Sequence, residues 1–169
     1  MKKLLIKLII FTMILFTFTG CYTLLKTYYY ETRPSEYVYI YAPILNSNEK
    51  DSPITMIDIR PIKFANLKKS KKVEILSDKI TVEYNGKRYS LKVIDRTAVL
   101  PYREGIILKE GTIVYFGKVK VDDKIIINMP PVKLKQYIKV IKVNPIADGL
   151  NINTAQDIYY GPAKGYKGK

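Results

Sequence analysis

Beyond the first two dozen positions, apolar residues follow the two-residue period of β-strands, and no stretch repeats with the helical period. The alternation is clearest in Tyr37–Tyr41, where the tyrosines share one face and Val38 and Ile40 share the other. Ile54–Arg60 resumes as a strand, with Ile57 and Ile59 facing opposite to Met56, Asp58 and Arg60, until Pro61 ends it. We interpret the tyrosine face as half-buried strand surface rather than as a stacking platform for a glycan or a base.

The stretch Val73–Val93 predicts a three-stranded meander built around a hairpin turn at Asn85-Gly86, because both positions can adopt positive φ. A second turn at Ser77-Asp78 then places Val73 and Ile75 on the apolar face of the hairpin. The residue pairs set by the first turn are Tyr84 with Lys87, Glu83 with Arg88, Val82 with Tyr89, and Ile80 with Leu91.

The next strands are longer and contain turn or breaker residues. Thr112–Val121 reads as one strand, in which Gly117 marks a bulge or a close approach. A three-residue turn at 122–124 favours the alignment of Val119 with Ile127, and the two prolines after Met129 mark a sheet edge or a crossing between sheets. Many short strands separated by turns predict an all-β fold. We expect a single antiparallel β-sandwich of immunoglobulin-like general shape, or a small barrel.

The first 21 residues, MKKLLIKLIIFTMILFTFTGC, have a different pattern. Lys2 and Lys3 precede an uncharged apolar run from Leu8 to Thr19, and Gly20 leads into Cys21. This is the layout of a secretory signal with an N-terminal helix. The run is shorter than the about 20 residues that a membrane-spanning helix needs, so a cleaved signal is favoured over an uncleaved anchor.

The junction Phe18-Thr19-Gly20-Cys21 resembles the lipobox of bacterial lipoproteins, with Phe18 where the pattern prefers leucine. The resemblance implies cleavage between Gly20 and Cys21, followed by addition of diacylglycerol and an N-acyl chain such as palmitate to Cys21. It also implies a place in the cell envelope. Tyr22, rather than aspartate, follows the cysteine, and this favours the outer membrane if the organism has two membranes. No other cofactor is expected, and a single cysteine cannot form a disulfide within the chain.

Charge adds a possible polyanion partner. The 169 residues include 29 Lys and Arg against 15 Asp and Glu, a net charge of +14. Either AT-rich coding or attraction to anionic lipid, lipopolysaccharide or nucleic acid explains this excess, and we favour the coding explanation for the lysine count. No nucleic-acid fold signature accompanies it. The most basic stretch reads as a solvated loop that is also the first candidate for polyanion contact, and its lysines are Lys63, Lys68, Lys69, Lys71 and Lys72.

Residues suited to catalysis are scarce. Histidine is absent, which removes the commonest general base and metal ligand. Carboxylate pairs suited to glycan hydrolysis would be Glu104 with Glu110, or Asp122 with Asp123, and turn residues beside each pair favour a structural role. No metal site is expected. One stretch is rich in oxygen-bearing side chains, but their spacing does not match a calcium-binding loop. These residues are Asp148, Asn151, Asn153 and Asp157.

These patterns divide the chain into four segments: a lipoprotein signal peptide (1–20), the acylated cysteine with a spacer (21–36), a β domain (37–147) and a flexible basic tail (148–169). Within the spacer, Tyr28–Tyr30 suit either the headgroup level of a membrane or a docked pre-strand. The leading hypothesis is a membrane-anchored envelope lipoprotein whose β domain serves non-enzymatic binding or structural support. Its expected partners are the membrane, through the lipid, and an envelope protein or a polyanion. The alternatives are a small enzyme acting on glycans or the cell wall with carboxylates, and a polyanion-binding module.

Overall fold

The structure is a computed structural model that describes residues 6–7, 22–62, 72–100, 106–150 and 152–168. A short helix, α1 (Pro145–Gly149), and a 3₁₀ turn at Ala163–Gly165 join an otherwise β architecture. No helix within these ranges is long and apolar enough to cross a membrane. The strands are β1 (Thr23–Thr32), β2 (Val38–Pro43), β3 (Met56–Pro61), β4 (Val73–Ile75), β5 (Lys79–Tyr84), β6 (Lys87–Ile94), β7 (Thr97–Val99), β8 (Ile113–Tyr115), β9 (Lys118–Val121), β10 (Ile125–Asn128), β11 (Val132–Lys133), β12 (Lys135–Val143) and β13 (Gln156–Pro162).

The chain forms two compact units, one of Met1–Lys26 with Lys139–Tyr160 and one of Thr27–Ile138 with Gly161–Lys169. In the second, larger unit, one sheet has the strand order β11-β8-β5-β6-β7-β3-β2-β1, and β10-β9-β4 form a three-stranded sheet. Their strands pair antiparallel. Buried side chains from both sheets form one hydrophobic cluster, so the predicted all-β, sandwich-like fold is confirmed.

The hairpin of β5 and β6 has the predicted register at every pair from Lys79–Lys92 to Tyr84–Lys87. Asn85 and Gly86 have φ values of +51° and +73°, as a two-residue turn of this kind requires. Ile80, Val82 and Leu91 are buried, which confirms the predicted apolar face. Local turn chemistry therefore determines this element.

The rest of the predicted meander is wrong in one respect, because β4 does not pair with β5. It pairs with β9 instead, with Val73 opposite Val121 and Ile75 opposite Val119. Val73 and Ile75 are buried, as expected, but they cover the core from the three-stranded sheet. No glycine at the turn after β4 imposes a hairpin, so long-range burial decides its partner.

The single strand predicted for Thr112–Val121 is divided at Gly117, which has φ +71°. β8 lies in the larger sheet and β9 in the smaller one, so Gly117 marks a change of sheet rather than a bulge. The predicted pairing of Val119 with Ile127 is confirmed. The two prolines after Met129 separate β10 from β11, which lie in different sheets, as expected for a crossing.

Two segments differ from the sequence-based expectation. Thr23–Thr32, assigned to the spacer, forms β1, in which Tyr29, Tyr30 and Glu31 are all buried. Consecutive buried residues lack the two-residue period, so this strand cannot be recognised by alternation. Gln156–Pro162, assigned to a flexible tail, forms β13, whose residues are mostly exposed. An exposed strand also shows no apolar alternation.

Candidate functional site

The larger unit carries a polar and aromatic surface on the side of its sheet opposite the core residues Ile40 and Ile57. Strand pairing sets Glu31 of β1 beside Tyr41 of β2, Tyr41 beside Asp58 of β3, and Asp58 beside Thr97 of β7. Residues in register on neighbouring strands share a face. We call this surface the Tyr–Arg face, and we define it as Tyr29, Glu31, Tyr39, Tyr41, Asp58, Arg60, Thr97 and Tyr137.

Asp58 is the most buried charge of the Tyr–Arg face, with only 4% of the residue exposed. One carboxylate oxygen accepts a hydrogen bond from Arg60 Nε at 2.7 Å. The other lies 3.4 Å from Arg96 Nε and accepts a hydrogen bond from Thr97 Oγ1 at 3.3 Å. Two cations and a hydroxyl therefore compensate the buried charge, as its desolvation requires.

Arg60 links this carboxylate to the tyrosines. Its guanidinium carbon lies 4.2 Å from the centre of the Tyr41 ring, a cation–π geometry. Burial acts to lower the pKa of Arg60, but hydrogen bonds with Asp58 and Tyr39 outweigh it and raise that pKa. Tyr29 connects two neighbouring rings, with centroid distances of 5.5 Å to Tyr41 and 6.2 Å to Tyr137. The half-buried state predicted for Tyr39 and Tyr41 is confirmed.

Glu31 is the second buried acid of the Tyr–Arg face, and Arg33 Nη2 lies 3.2 Å from its carboxylate. It is separated from Asp58 by one intervening strand, a Cα spacing of about 10 Å. Both carboxylates accept from guanidinium groups, an arrangement that orders side chains on a surface. Such a surface presents ring faces and guanidinium edges, which suit stacking and recognition of planar or anionic groups.

A third polar feature, Tyr30, lies inside the core with 1% exposure. Its hydroxyl accepts a long hydrogen bond of 3.5 Å from Gln136, whose amide also donates to the Lys50 carbonyl. Burial, reinforced by the carboxylate of Glu110, raises the pKa of Tyr30 to about 12. The phenol therefore stays protonated in the folded state at neutral pH, where it ties β1 to β12.

The structure locates only Lys72 among the five candidate polyanion-binding lysines, because Lys63, Lys68, Lys69 and Lys71 lie outside the described residues. Lys72 Nζ is 3.6 Å from the carboxylate of Asp123, and its backbone N–H donates to Asp122 Oδ1 at 2.8 Å. Lys120 approaches the same Asp123 oxygen at 3.5 Å. Acidic residues thus partly neutralise this end of the basic stretch.

The contacts with Lys72 and Lys120 involve Asp122 and Asp123, the acidic pair that the sequence offered for catalysis. Both lie in the turn between β9 and β10, with φ values of +50° and +59°. Their predicted position in a turn is confirmed. Glu110 pairs with Lys164 at 3.1 Å, whereas Glu104 lies outside the described ranges. Gly20 and Cys21, the predicted signal-cleavage junction, also lie outside the described ranges.

The oxygen-rich stretch at residues 148–157 is engaged in local contacts. Asp148 Oδ1 accepts from the Thr154 hydroxyl at 3.0 Å, and Asp157 pairs with Lys139 at 3.1 Å. Asn153 accepts from the Ala155 backbone, and Asn151 is not described. Across the parts of the chain that the structure describes, no three His, Cys, Asp or Glu side chains are grouped to hold a metal ion.

An open cleft of about 710 Å³ runs along β4 and the turn between β6 and β7. Its charged residues have mixed signs, and one of them, Arg96, is already paired with Asp58. The cleft therefore has no consistent preference for an anion or a cation. The charged residues that line it are Lys72, Glu74, Asp78, Asp95 and Arg96.

Sequence reasoning placed Asp58 and Arg60 on the face opposite Ile57 but did not identify their partners. Arg96 and Thr97 lie nearly forty residues away, and only the pairing of β3 with β7 joins them to Asp58. Glu31 was missed because it sits in a strand without alternation. The available sequence signal for this site was Asp58, a charged residue between two buried isoleucines in β3. Comparisons of the chain with protein-family models, curated proteins and solved structures found no match.

Proposed function

We propose that this protein is a lipoprotein of the bacterial cell envelope, acylated on Cys21, whose β domain serves binding or structural support. The signal-like first 20 residues and the lipobox-like junction support this proposal. With Tyr22 after the cysteine, the outer membrane is the favoured location in an organism with two membranes. The diacylglycerol and N-acyl chains on Cys21 are the expected modification.

The junction Phe18-Thr19-Gly20-Cys21 carries the proposal. The start of β1 at Thr23 determines how closely the lipid would hold the domain. Only Tyr22 separates Cys21 from the first strand, so the acylated residue would lie within about 8 Å of the folded chain. Two acyl chains give stable membrane anchoring, each buried methylene contributing about 0.8 kcal/mol. The domain would then be held directly at the bilayer, without the short spacer that the sequence suggested for residues 22–36.

The Tyr–Arg face is the surface best suited to a binding role. It combines three neighbouring tyrosine rings with Arg60, and both of its buried carboxylates are engaged with arginines. This arrangement favours recognition over acid–base chemistry, which needs a carboxyl group placed against a reacting atom. Tethering raises the local concentration of such a surface at the membrane.

The test compares the membrane and soluble fractions of cells that produce the full chain or its Cys21→Ser variant. We expect the parent chain in the membrane fraction, labelled by a palmitate analogue, and the variant unlabelled and released from membranes. Thr17→Ser, a conservative change within the signal, is the matched control and should behave like the parent. Equal membrane retention of Cys21→Ser and the parent, with neither chain labelled, would refute the proposal.

A further inference from the structure

β4 is an edge strand whose backbone is available for pairing on one side. It is the last strand of the sheet β10-β9-β4, so β9 is its only neighbour in that sheet. The N–H of Leu76 donates to the Lys118 carbonyl of β9 at 3.1 Å. Because backbone groups alternate in direction along a strand, those of Val73 and Ile75 point away from β9. Within the described parts of the chain, neither residue has a backbone hydrogen-bond partner on that side.

The open edge of β4 lines the cleft of about 710 Å³, which we call the β4 cleft. Residues 72–78, from β4 and the turn after it, form one part of the lining, and Val93, Asp95 and Arg96 form the other. The two parts are joined where the N–H of Val93 donates to the Asp78 carbonyl at 2.8 Å. At about 3.3 Å per residue, the first part can accompany an extended segment over roughly 20 Å. An open edge inside a cleft is the arrangement in which a sheet binds an extended segment as an additional strand.

The charged groups of the β4 cleft differ in their contacts, although their mixed signs alone favour neither kind of ion. Both cations are paired with acids outside the lining, because Lys72 lies 3.6 Å from Asp123 and Arg96 lies 3.4 Å from Asp58. Among the described residues, no cation forms an ion pair with the three carboxylates of the lining, which belong to Glu74, Asp78 and Asp95. The charge that remains without a counterion in the cleft is therefore negative, in a chain whose net charge is +14.

We propose that the β4 cleft binds an extended segment of another protein as an additional antiparallel strand, and that this segment carries lysine or arginine. The N–H and C=O groups of Val73 and Ile75 pair with the backbone of the segment, which gives affinity without dependence on its side chains. The three carboxylates of the lining then select for cationic side chains. Binding of this kind uses the β domain alone, so it does not depend on the lipid proposed for Cys21.

The test adds synthetic peptides to the mature chain in detergent micelles. The peptide KTVTVTK, with both termini blocked, alternates strand-favouring residues and carries a lysine at each end, and ETVTVTE is its acidic counterpart. In an added strand, the valines lie opposite Val73 and Ile75 and point their N–H groups at β4. N-methylation of both valines therefore removes the donors that bond to β4. N-methylation of two threonines leaves those donors in place and is the matched control.

Two measurements follow the complex: the fluorescence anisotropy of dye-labelled peptide and the hydrogen exchange of the Val73 and Ile75 amides. We expect KTVTVTK to slow the exchange of both amides by at least about tenfold, because each then donates to a backbone carbonyl of the peptide. The valine-methylated peptide should bind at least about tenfold more weakly than KTVTVTK, since it loses two hydrogen bonds. The threonine-methylated peptide should bind like KTVTVTK, and ETVTVTE should bind more weakly than either.

The double variant Asp78→Asn with Asp95→Asn tests the charge selection, and asparagine suits residue 95 because it tolerates the φ of +58° there. This variant should lose most of the preference for KTVTVTK over ETVTVTE. Unchanged exchange of the Val73 and Ile75 amides at millimolar KTVTVTK would overturn the proposal, and so would equal binding of the two methylated peptides. Equal binding of KTVTVTK and ETVTVTE to the parent chain would overturn the cationic partner. Each of these results leaves the lipoprotein assignment to the fractionation of Cys21→Ser.

Discussion

Replacement of Asp58 by asparagine should reveal how strongly the Tyr–Arg face depends on its buried charge. Asparagine has nearly the same shape, but it removes the negative charge between Arg60 and Arg96. The contact to Arg60 at 2.7 Å and the contact to Thr97 become neutral hydrogen bonds or are lost. The substitution therefore isolates the electrostatic contribution from packing.

The expected magnitude follows from the exposure of the partners. Removing one member of a fully buried ion pair costs about 3–5 kcal/mol, and a hydrogen bond to a charged group contributes about 1.5–3 kcal/mol. Asp58 is 6% exposed in its side chain, but Arg60 and Arg96 are 36% and 50% exposed, so water can solvate both guanidinium groups in the variant. We therefore expect Asp58→Asn to lower the free energy of unfolding by about 2 kcal/mol.

Urea unfolding of the mature chain, followed by circular dichroism, measures this change. Glu83→Gln is the matched control, because it neutralises a more exposed carboxylate, which pairs with Arg88 at 2.9 Å and accepts a hydrogen bond from the Tyr115 hydroxyl at 3.2 Å. Exposed pairs contribute little to stability, so its unfolding midpoint should remain close to that of the parent. An Asp58→Asn midpoint equal to that of Glu83→Gln would refute the reasoning. Unchanged stability would show that the ion pairs of the Asp58 carboxylate with Arg60 and Arg96 stabilise the fold no more than hydration of these charges does.

Two further predictions concern the core and the change of sheet. The pKa of Tyr30 is about 12 in the folded chain against 10.0 for an ordinary tyrosine, so the unfolded chain loses this proton first. Stability should hold below pH 10 and fall by roughly 3 kcal/mol as the pH rises toward 12. Tyr30→Phe should reduce this dependence in urea titrations, and an equal dependence in both chains would contradict the prediction. Gly117→Ala should lower the unfolding free energy by about 1–2 kcal/mol because φ is +71°, whereas alanine at Gly149, where φ is not positive, should be tolerated; equal midpoints for the two variants would contradict this.

The sequence by itself determined the elements whose geometry is local. Asn85-Gly86 dictated the turn of the β5–β6 hairpin, and the need to bury Ile80, Val82 and Leu91 then determined its register. The same reasoning predicted that Ile57 would face the core and that Asp58 and Arg60 would face away from it. For the candidate site, this defined one strand of the Tyr–Arg face but none of its neighbours.

Only the tertiary structure decided which strands lie side by side. β4 pairs with β9 instead of joining the predicted meander, because its two apolar residues are buried in the core equally well in that position. β1 escaped detection since both of its faces are covered near Tyr30, and β13 because little of it is covered. Alternation records burial on one face of a strand, so it identifies neither a strand buried on both faces nor one exposed on both. The partners of Asp58 likewise depended on long-range strand pairing, which leaves no local pattern in the chain.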